Sequence, residues 1–407
     1  MPLTEMLLEH RDVPGASAPD GNPTTLHVVF AGPPAGTPVL LLHGFPECWY
    51  GWRHQIEALA KSGFRVIAPD LRGYHRSSRP KALAAYRIDA LVEDVRVLLT
   101  NLGITTCHLV GHDWGAAIAW EVAATYPDVI RTLTIANSPR AHVLLAVVRR
   151  SLRQLRRSWY ILMFQAPLLG EGFLMAVGAK RLFQGSSAPG TFTEADIAVY
   201  EEAWARPGAL TAMLNYYRAN RVVRPRSALT RIRPPTLVLW GMNDAALGTE
   251  LIGPTLAECD DGRVVELPGV SHWSPAEGAP TFNAALLGHL AAHGGTDPLV
   301  YKLVPANMWA AAPKPWVGSA DDVRDGFVHL SARGQVTGTL AAHFVGAGDL
   351  MALGLDPGRL PAGALRWEES RGGKRFPHLY APVTEHAVVT THSIIEGQSG
   401  HVMPETW

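Results

Sequence analysis

The sequence predicts an α/β protein with a mostly parallel sheet, a helical lid inserted into it, and a small C-terminal α+β domain. Apolar strand-like runs alternate with amphipathic helical segments over about the first 290 residues. The strand pattern stops between about residues 140 and 230, where the segment is helical and rich in Leu and Arg. A new group of strands and turns follows the segment "GGTDP" at residues 294–298.

The first strands and helices follow one another in a regular order. Continuous apolar runs are typical of strands buried in a parallel sheet, and the helix after the third strand ends at Gly103, a residue that favours helix termination. Gly103 follows a helical stripe formed by Ile88, Leu91, Val92, Val95, Leu98, Leu99 and Leu102. In order, the strand segments are "TTLHVVFAG", "TPVLLLHGF", "FRVIAPDLRGY", the start of "CHLVGHDWGAAIAWEVAATYP", and "IRTLTIANSP".

The alternation resumes after the helical insertion. Two strands are predicted in "PPTLVLWGMNDAAL" and "GRVVELPGVSHW", and a helix in "TFNAALLGHLAAH". We therefore expect a first domain over residues 1–293, with its lid at about 140–230, and a second domain over residues 299–407.

Composition excludes several classes of function. Lys plus Arg and Asp plus Glu each number 36, so no net charge attracts nucleic acid or an anionic membrane. No apolar run approaches the roughly 20 residues of a membrane span, and the N-terminus does not resemble a signal peptide. Cys48, Cys107 and Cys259 are far apart, which suits a reducing compartment. We expect a cytoplasmic protein without a membrane span, and a homodimer is among the assemblies that the sequence allows.

The stretch "LVGHDWGAAIAW" predicts a strand, a sharp turn and a helix, with Asp113 at the turn. Hydrolases that use this pattern often place a serine at its centre. Asp244 follows an apolar strand, and His272 lies in a loop before the last helix. Strand ends of a parallel sheet meet at one edge, so Asp113, Asp244 and His272 are candidates for nucleophile, acid and base. Taken singly, Asp244 and His272 could also be ordinary loop residues.

The motifs "HGFPECW", "RGYHRSSRP", "GHDWG", "WGMNDAAL" and "GVSHWSPAE" together resemble the α/β-hydrolase family, in particular its epoxide hydrolase branch. The resemblance covers roughly residues 1–293. It implies hydrolysis of an epoxide to a vicinal diol with water as the second substrate, and neither a cofactor nor a metal. It also implies an alkyl ester on Asp113, which water activated by His272 then cleaves.

The same resemblance assigns roles to further residues. Lid segments "SWYILMFQAP" and "MLNYYRAN" are similar to the lid motifs that carry two tyrosines, here Tyr160 and Tyr217, with Tyr216 the less favoured neighbour. These phenols would protonate the opening epoxide oxygen. The resemblance implies an oxyanion hole from the backbone N–H groups of Phe45 and Trp114. It further implies substrate contacts by His43, Pro46 and Trp114.

Other activities stay open as alternatives. A serine esterase is excluded because Asp113 occupies the nucleophile position. Fluoroacetate dehalogenases carry an arginine where this chain has Trp114. Haloalkane dehalogenases share the aspartate and favour this tryptophan, but they lack the tyrosine pair, and some take their acid from the position of Asn137. A non-catalytic binding protein on the same scaffold is the alternative from another class.

Two features depart from the family pattern or add to it. His75 stands where relatives usually have glycine, which leaves the turn "RGYHRSS" in question. The lid segment "RRSLRQLRRSWY" carries a basic helical face. We interpret that face as solvated, and contact with a partner or an anionic lipid is the alternative. Its arginines are Arg149, Arg150, Arg153, Arg156 and Arg157.

The C-terminal segment resembles a small α+β family of unknown function that occurs alone in bacteria and has been compared with ADP-ribosyltransferase-like folds. The resemblance spans roughly residues 299–390. It suggests either a pocket for an anionic or nucleotide-like ligand, anchored by Arg371, or residues that only stabilise the fold. The polar and aromatic residues of its motifs are His329, His343, Trp367, Arg371, His378 and Tyr380.

Overall fold

The computed structural model describes residues 8–221, 230–293, 299–361, 364–370, 375–397 and 400–402. The chain divides into two compact units, residues 1–287 and 288–407. The division falls within the last helix of the predicted first domain. The predicted linker, residues 294–298, lies outside the described residues.

The first unit is built on an eight-stranded sheet in the order β1-β2-β4-β3-β5-β6-β7-β8. The strands β1, β2 and β4 pair antiparallel, and all pairs from β4 to β8 are parallel. The strands are β1 (Glu9–Pro14), β2 (Thr25–Ala31), β3 (Pro38–Leu42), β4 (Arg65–Pro69), β5 (Cys107–His112), β6 (Ile130–Ala136), β7 (Thr236–Gly241) and β8 (Gly262–Leu267).

Helices connect the parallel strands, as a parallel sheet requires. The predicted fold class, a mostly parallel sheet with helices, is confirmed for this unit. The helices outside the lid are α1 (Arg53–Lys61), α2 (Ile88–Asn101), α3 (Asp113–Thr125), α10 (Ile252–Leu256), α11 (Ser274–Glu277) and α12 (Ala279–Ala292); the lid helices α4–α9 are α4 (Ala141–Val148), α5 (Leu152–Arg157), α6 (Trp159–Met163), α7 (Leu169–Gly185), α8 (Glu194–Ala205) and α9 (Ala209–Ala219).

Helix α2 shows how the local sequence determines an element. Leu91, Val95 and Leu98 lie on its buried face, as the apolar stripe predicts. The helix ends at Asn101, and Gly103 follows with φ of +66°, the left-handed conformation that a glycine adopts without steric cost. The predicted termination at Gly103 is therefore confirmed.

The lid lies between β6 and β7, where the strand pattern of the sequence stops. The six lid helices in the described part of the chain all precede residue 220. Helix α8 begins with a reciprocal cap, in which Thr193 and Asp196 bond to each other's backbone N–H groups. Residues 222–229, the end of the predicted lid, lie outside the described residues.

The second unit contains two antiparallel sheets, in the orders β10-β14-β13 and β11-β9-β12-β15-β16. Short helices accompany them, so this unit is α+β. Its strands are β9 (Val300–Pro305), β10 (Val328–His329), β11 (Ser331–Ala332), β12 (Leu350–Leu355), β13 (Leu365–Glu369), β14 (Arg375–Leu379), β15 (Val388–Gly397) and β16 (Gly400–Val402), and its helices are α13 (Ala306–Ala311), α14 (Ala320–Asp325) and α15 (Val336–His343).

Each unit has its own hydrophobic core. The large core of the first unit is formed by side chains between Val13 and Cys259. The two core clusters of the second unit are formed by side chains between Val300 and Ile394. None of the described helices has both the length and the apolar character needed to cross a membrane.

We predict that a chain truncated after His293 folds by itself, because its core needs no side chain from beyond that point. Calorimetry of the full chain should resolve two transitions, and the truncated chain should keep one of them with an unchanged Tm. A broad, non-cooperative transition in the truncated chain would contradict the proposed division at residues 293–299.

Candidate active site

Asp113 occupies the sharp turn between β5 and α3. Its φ is +49°, in the left-handed region that few residues other than glycine adopt. The turn requires small neighbours, since a Cβ on Gly115 would lie 2.0 Å from the carbonyl oxygen of Leu42. A Cβ on Gly44 would lie 2.7 Å from the Cβ of Asp113. The glycines of "HGF" and "GHDWG" therefore let the two motifs approach each other.

The two carboxylate oxygens of Asp113 have different surroundings. Oδ1 accepts a hydrogen bond of 2.8 Å from the backbone N–H of Phe45. Oδ2 lies 3.7 Å from Nε2 of His272. The N–H of Trp114 lies in the first turn of α3, where backbone donors have no partner within the helix. One backbone donor and one imidazole thus lie at this carboxyl group, and donation by the N–H of Trp114 stays a prediction.

His272 is oriented by Asp244. Its Nδ1 donates to Oδ2 of Asp244 over 2.7 Å, which leaves Nε2 facing Asp113. Asp244 is 3% exposed, and its Oδ1 accepts from the backbone N–H groups of Ala246 and Leu247 at 2.7 and 2.9 Å. The structure therefore brings together the three residues that the sequence predicted as nucleophile, acid and base.

Asn137 also holds Asp244, a contact that sequence reasoning did not find. Its Nδ2 donates to Oδ2 of Asp244 at 2.8 Å, and its Oδ1 accepts from the N–H of Gly241 at 3.1 Å. Asn137 directly follows β6 with φ of +44°, and its side chain reaches across to the end of the neighbouring strand β7. The sequence signal that could have identified this contact was a polar residue directly after an apolar strand.

A second buried pair lies behind the nucleophile. Glu47 accepts a hydrogen bond of 2.9 Å at Oε2 from Nδ1 of His112. His112 donates through Nε2 to the backbone carbonyl of His272 at 2.9 Å. Burial raises the pKa of Glu47, but the hydrogen bond with His112 and the charges of nearby histidines outweigh it and lower the pKa below its usual value. The pair fixes the loop of His272, and the sequence analysis assigned it no role.

Opposite charges control protonation at the site. Burial alone would lower the pKa of His272, but the carboxylates of Asp244 and Asp113 outweigh it and hold that pKa well above its ordinary value. Burial raises the pKa of Asp113 and of Asp244, and the interaction with His272 outweighs it, so both stay below their usual values. The three pKa shifts share one cause, the attraction between a positively charged imidazole and the two carboxylates.

Lid side chains form an aromatic enclosure above the nucleophile. The ring of Tyr217 lies 5.1 Å from Phe45, 5.1 Å from Trp114 and 5.0 Å from Phe164, measured between centroids. Tyr160 lies 6.1 Å from Tyr217. Burial, followed by the charge of Asp113, raises the pKa of both tyrosines well above the usual value. Both phenols therefore keep their protons.

Tyr216 differs from its neighbour Tyr217. Its hydroxyl group donates to the backbone carbonyl of Arg72 at 2.7 Å, and its side chain is fully buried. This hydrogen bond attaches α9 to the loop after β4. The rings of both tyrosines contact Trp114, at 5.5 Å for Tyr216 and 5.1 Å for Tyr217, and the ring of Tyr217 also contacts Phe45.

The substrate contact of His43 stays a prediction, and the structure shows where its ring lies. The ring is fully buried, its Nδ1 donates to the carbonyl of Gly44 at 2.9 Å, and its Nε2 accepts from the N–H of Leu71 at 3.0 Å. Both nitrogens are therefore used to hold the loop. Pro46 is buried, and its carbonyl accepts from the indole N–H of Trp204 in the lid at 2.9 Å.

The turn at His75 keeps the backbone that a glycine would favour. His75 has φ of +38° and is 6% exposed. Its Nδ1 donates to Oδ2 of Asp70 at 3.0 Å, and His27 donates to the same oxygen at 2.7 Å. His27, Asp70 and His75 are the group among the described residues whose atoms could hold a metal ion. As they stand, both imidazoles bond directly to the carboxylate.

The second unit contains a polar cavity of about 440 Å³. His329, His343 and His378 line it, together with Lys302 and Asp322. Asp322 accepts from Lys302 at 2.6 Å and from Nδ1 of His329 at 2.9 Å.

Two of the other predicted residues meet at Glu368. His378 and Tyr380 both donate to its Oε2 at 2.8 Å. Tyr380 is 40% exposed. Arg371 and the side chain of Trp367 lie outside the described residues.

The model of the α/β-hydrolase fold family matches residues 37–279, more than half of the chain. The chain belongs to the α/β-hydrolase family. A second family model, described as a protein of unknown function (DUF952), matches residues 303–391. The predicted family membership of both parts is thereby confirmed. The likeness of the second part to ADP-ribosyltransferase-like folds stays a prediction.

This α/β-hydrolase has relatives in bacteria and animals. It is 40% identical over 272 residues to the AB hydrolase superfamily protein YfhM of Bacillus subtilis, covering 66% of this chain and 95% of that protein. It is 37% identical over 257 residues to epoxide hydrolase 2 of Caenorhabditis elegans, covering 61% and 72% of the two chains.

Solved structures of epoxide hydrolases share the fold of this α/β-hydrolase. A structure from a study of epoxide hydrolases in hot-environment metagenomes has a TM-score of 0.61 and 33% identity, covering 71% of this chain and 100% of that one. The epoxide hydrolase of Bacillus megaterium, in complex with an inhibitor, has a TM-score of 0.60 and 29% identity, covering 69% and 99%.

We predict a pH-dependent contribution of His272 to stability. Because folding raises the pKa of His272, its attraction to Asp113 and Asp244 is fully present below the ordinary imidazole value and is lost as the pH rises through the folded pKa. The Tm difference between wild type and His272→Gln should be largest below the ordinary imidazole pKa of about 6.5 and shrink as the pH rises well above it. The variant His386→Gln, at an exposed position, serves as control. A difference that grows with pH would contradict the assignment.

Proposed function

We propose that this α/β-hydrolase is an epoxide hydrolase that opens an epoxide to a vicinal diol through an ester on Asp113. The observation that carries the proposal is one carboxylate, Asp113, faced by the His272–Asp244 pair on one side and enclosed by the rings of Tyr160 and Tyr217 on the other. The epoxide hydrolases among its relatives support the same reaction.

In the first step Oδ2 of Asp113 attacks an epoxide carbon. A carboxylate needs no base for this attack, because it is already ionised, and the lowered pKa of Asp113 keeps it so. The carbon–oxygen bond of the ring breaks, and its electrons go to the epoxide oxygen. That oxygen takes a proton from Tyr160 or Tyr217, whose raised pKa values keep them protonated as donors until then.

In the second step water cleaves the ester. Once Asp113 is esterified it carries no charge, so one of the two carboxylates that hold the pKa of His272 high is gone. His272 then releases its proton more readily, the phenolate left by ring opening takes that proton up, and His272 can accept one from water. The water oxygen bonds to Cγ of Asp113, and the oxyanion forms at Oδ1, which the N–H of Phe45 contacts and for which the N–H of Trp114 is proposed as the second donor. When the oxyanion collapses, the bond from Cγ to the substrate oxygen breaks, and that oxygen takes the proton from His272 to complete the diol. The new carboxyl group then passes its remaining proton to His272, which restores the carboxylate of Asp113.

The phenol pair favours an epoxide over a haloalkane. A leaving alkoxide needs a proton, whereas a leaving halide needs only hydrogen-bond donors. A non-catalytic binding protein is disfavoured, since the nucleophile, base and acid are all retained with mutual distances of 2.7 and 3.7 Å. Turnover of haloalkanes but not epoxides by the purified protein would reverse this choice.

We propose further that the protein works in a bacterial cytoplasm. Cys48, Cys107 and Cys259 are buried and unpaired, in keeping with a reducing compartment. A homodimer is an expectation that light scattering of the purified chain tests directly.

For the second unit we propose an ADP-ribosyltransferase-like domain that binds a nucleotide-like ligand. The polar cavity lined by His329 and His378 supports a ligand site, and Arg371 is the proposed anchor for an anionic group. Titration calorimetry with ADP-ribose should give saturable binding that Arg371→Ala weakens at least tenfold. Binding that this variant leaves unchanged would contradict the anchor.

We predict that the two lid tyrosines act in ring opening. Tyr160→Phe and Tyr217→Phe should each slow single-turnover ring opening by about 10²-fold, with a larger loss in the double variant, because each removes a proton donor. Tyr216→Phe is the matched control, since its hydroxyl group bonds to Arg72 instead. It should lower the Tm while keeping the chemical step. An unchanged rate in the double variant would point to another proton donor.

We also predict a trapped ester. His272→Gln should open one equivalent of epoxide and stop, because only the second step needs a base. Intact-mass analysis should show protein plus substrate, with the adduct in the peptide containing Asp113. In one turnover of wild type in ¹⁸O-water, the label should enter the Asp113 carboxylate.

Asp113→Ala is the control for this adduct and should form none; asparagine is avoided because it can deamidate to aspartate. Label that appears directly in the first-turnover diol, together with an unmodified His272→Gln protein, would mean that water attacks the epoxide itself. That result would overturn the proposed mechanism.

A further inference from the structure

The lid exposes an unusual concentration of large apolar side chains. Sixteen such side chains are exposed among the described residues, and eight of them lie between residues 145 and 175. Scattered apolar residues on a surface are ordinary, but a concentration marks a surface that contacts something. The eight are Leu145, Leu152, Leu155, Trp159, Leu162, Leu168, Leu169 and Met175.

The same stretch is basic. Arg149, Arg150, Arg153 and Arg156 are exposed and interleaved with these apolar side chains. None of the four forms an ion pair with a described residue, and the sequence contains no Asp or Glu from residue 141 to 170. We call these four arginines and the eight apolar residues the lid patch.

Acidic groups near the lid patch bond to residues outside the patch. Glu258 bonds to Arg140 and His142 at 2.7 and 2.9 Å. Glu250 lies 3.3 Å from the hydroxyl group of Ser151. The positive charge of the patch is therefore left for a partner from outside the fold.

At Leu168 an exposed side chain coincides with an unusual backbone conformation. It is 81% exposed with φ of +68°, a left-handed conformation that is costly for a branched side chain. A glycine or asparagine would fit this turn better. Packing inside the protein does not explain a leucine there.

The composition of the patch favours one kind of occupant. Leucines and a tryptophan beside arginines are typical of segments that lie in the interface of an anionic bilayer, where the apolar groups enter the lipid and the cations meet the headgroups. A second copy of the chain is disfavoured, because four arginines would face four others. A purely acidic protein would leave the leucines unburied.

We propose that the lid patch docks the protein on the surface of an anionic membrane. Helix α6 relates the patch to the site, since it exposes Trp159 and Leu162 while its Tyr160 belongs to the aromatic enclosure above Asp113. Docking depends on the exposed lid alone and not on the reaction, so failure of the proposed catalysis would leave it standing.

Vesicle co-sedimentation of the full chain tests the proposal. At about 0.1 M salt the protein should bind vesicles of phosphatidylcholine and phosphatidylglycerol at least tenfold more tightly than vesicles of phosphatidylcholine alone. Binding should weaken at about 0.5 M salt, because salt screens the arginines from the headgroups.

Two sets of substitutions separate charge from apolar contact. Changing Arg149, Arg150, Arg153 and Arg156 together to Gln should weaken binding on the order of 10²-fold or more. Changing Leu152, Leu162 and Leu169 to Ser should weaken it at least tenfold. These leucines are 65–74% exposed, so the Tm should change little.

Matched controls come from exposed residues elsewhere. Val317, Val323 and Val345 are 59–83% exposed, and their triple change to Ser should leave vesicle binding unaltered. The same holds for changing Arg87, Arg96, Arg233 and Arg324 to Gln, all with exposed side chains.

Several results would overturn the proposal. One is wild-type protein that binds neither vesicle, and another is binding that the lid arginine variant leaves unchanged. A dimer in light scattering that the leucine variant dissociates would assign the patch to a second copy. Binding to soluble polyaspartate as tight as to anionic vesicles would assign it to an acidic protein.

Discussion

The negative charge of Asp113 is the constraint on which the site depends. The charge has to survive burial beneath a lid, and it does so because a backbone N–H of Phe45 and the imidazole of His272 stabilise it. Holding the carboxylate at that point requires a left-handed turn, and the turn in turn requires glycines where the chain passes close to it. Both the close packing of the glycines and the electrostatic contacts at this edge of the sheet therefore stabilise one group, the carboxylate of Asp113.

The charge of Asp113 also affects the pKa values of the proposed proton donors and of the proposed base. It contributes to the raised pKa values of Tyr160 and Tyr217, so the phenols hold protons until an oxygen needs one. It contributes to the raised pKa of His272 too, and esterification removes that contribution. In the proposed cycle the chemistry at Asp113 converts its neighbour from a cation into a base without any movement of the fold.

The sequence could predict those features that depend on a pattern of neighbouring residues. Asp113 lies in a motif with the strand and helix beside it, and Gly103 ends a regular apolar stripe, so both positions followed from neighbours in the chain. Asn137 and the Glu47–His112 pair are defined by partners up to 107 residues away, which no local pattern records. Strand β1 was missed because five of its six residues face solvent and lack an apolar alternation.

The lid is fastened to the sheet domain through backbone groups, and this decides where variation can be tolerated. Its second half is attached to the sheet domain by the indole of Trp204 on the carbonyl of Pro46 and by the phenol of Tyr216 on the carbonyl of Arg72. These bonds use backbone acceptors, so changes in the acceptors' side chains do not remove them. In the first half of the lid Gln154 has the same function, since it donates to the carbonyl of Ala246 at 2.8 Å and accepts from the N–H of Gly248 at 2.9 Å. Diversity in the shape of the proposed substrate would then evolve mainly in lid side chains that form none of these bonds, and a library aimed at altered selectivity should leave Gln154, Trp204 and Tyr216 unchanged.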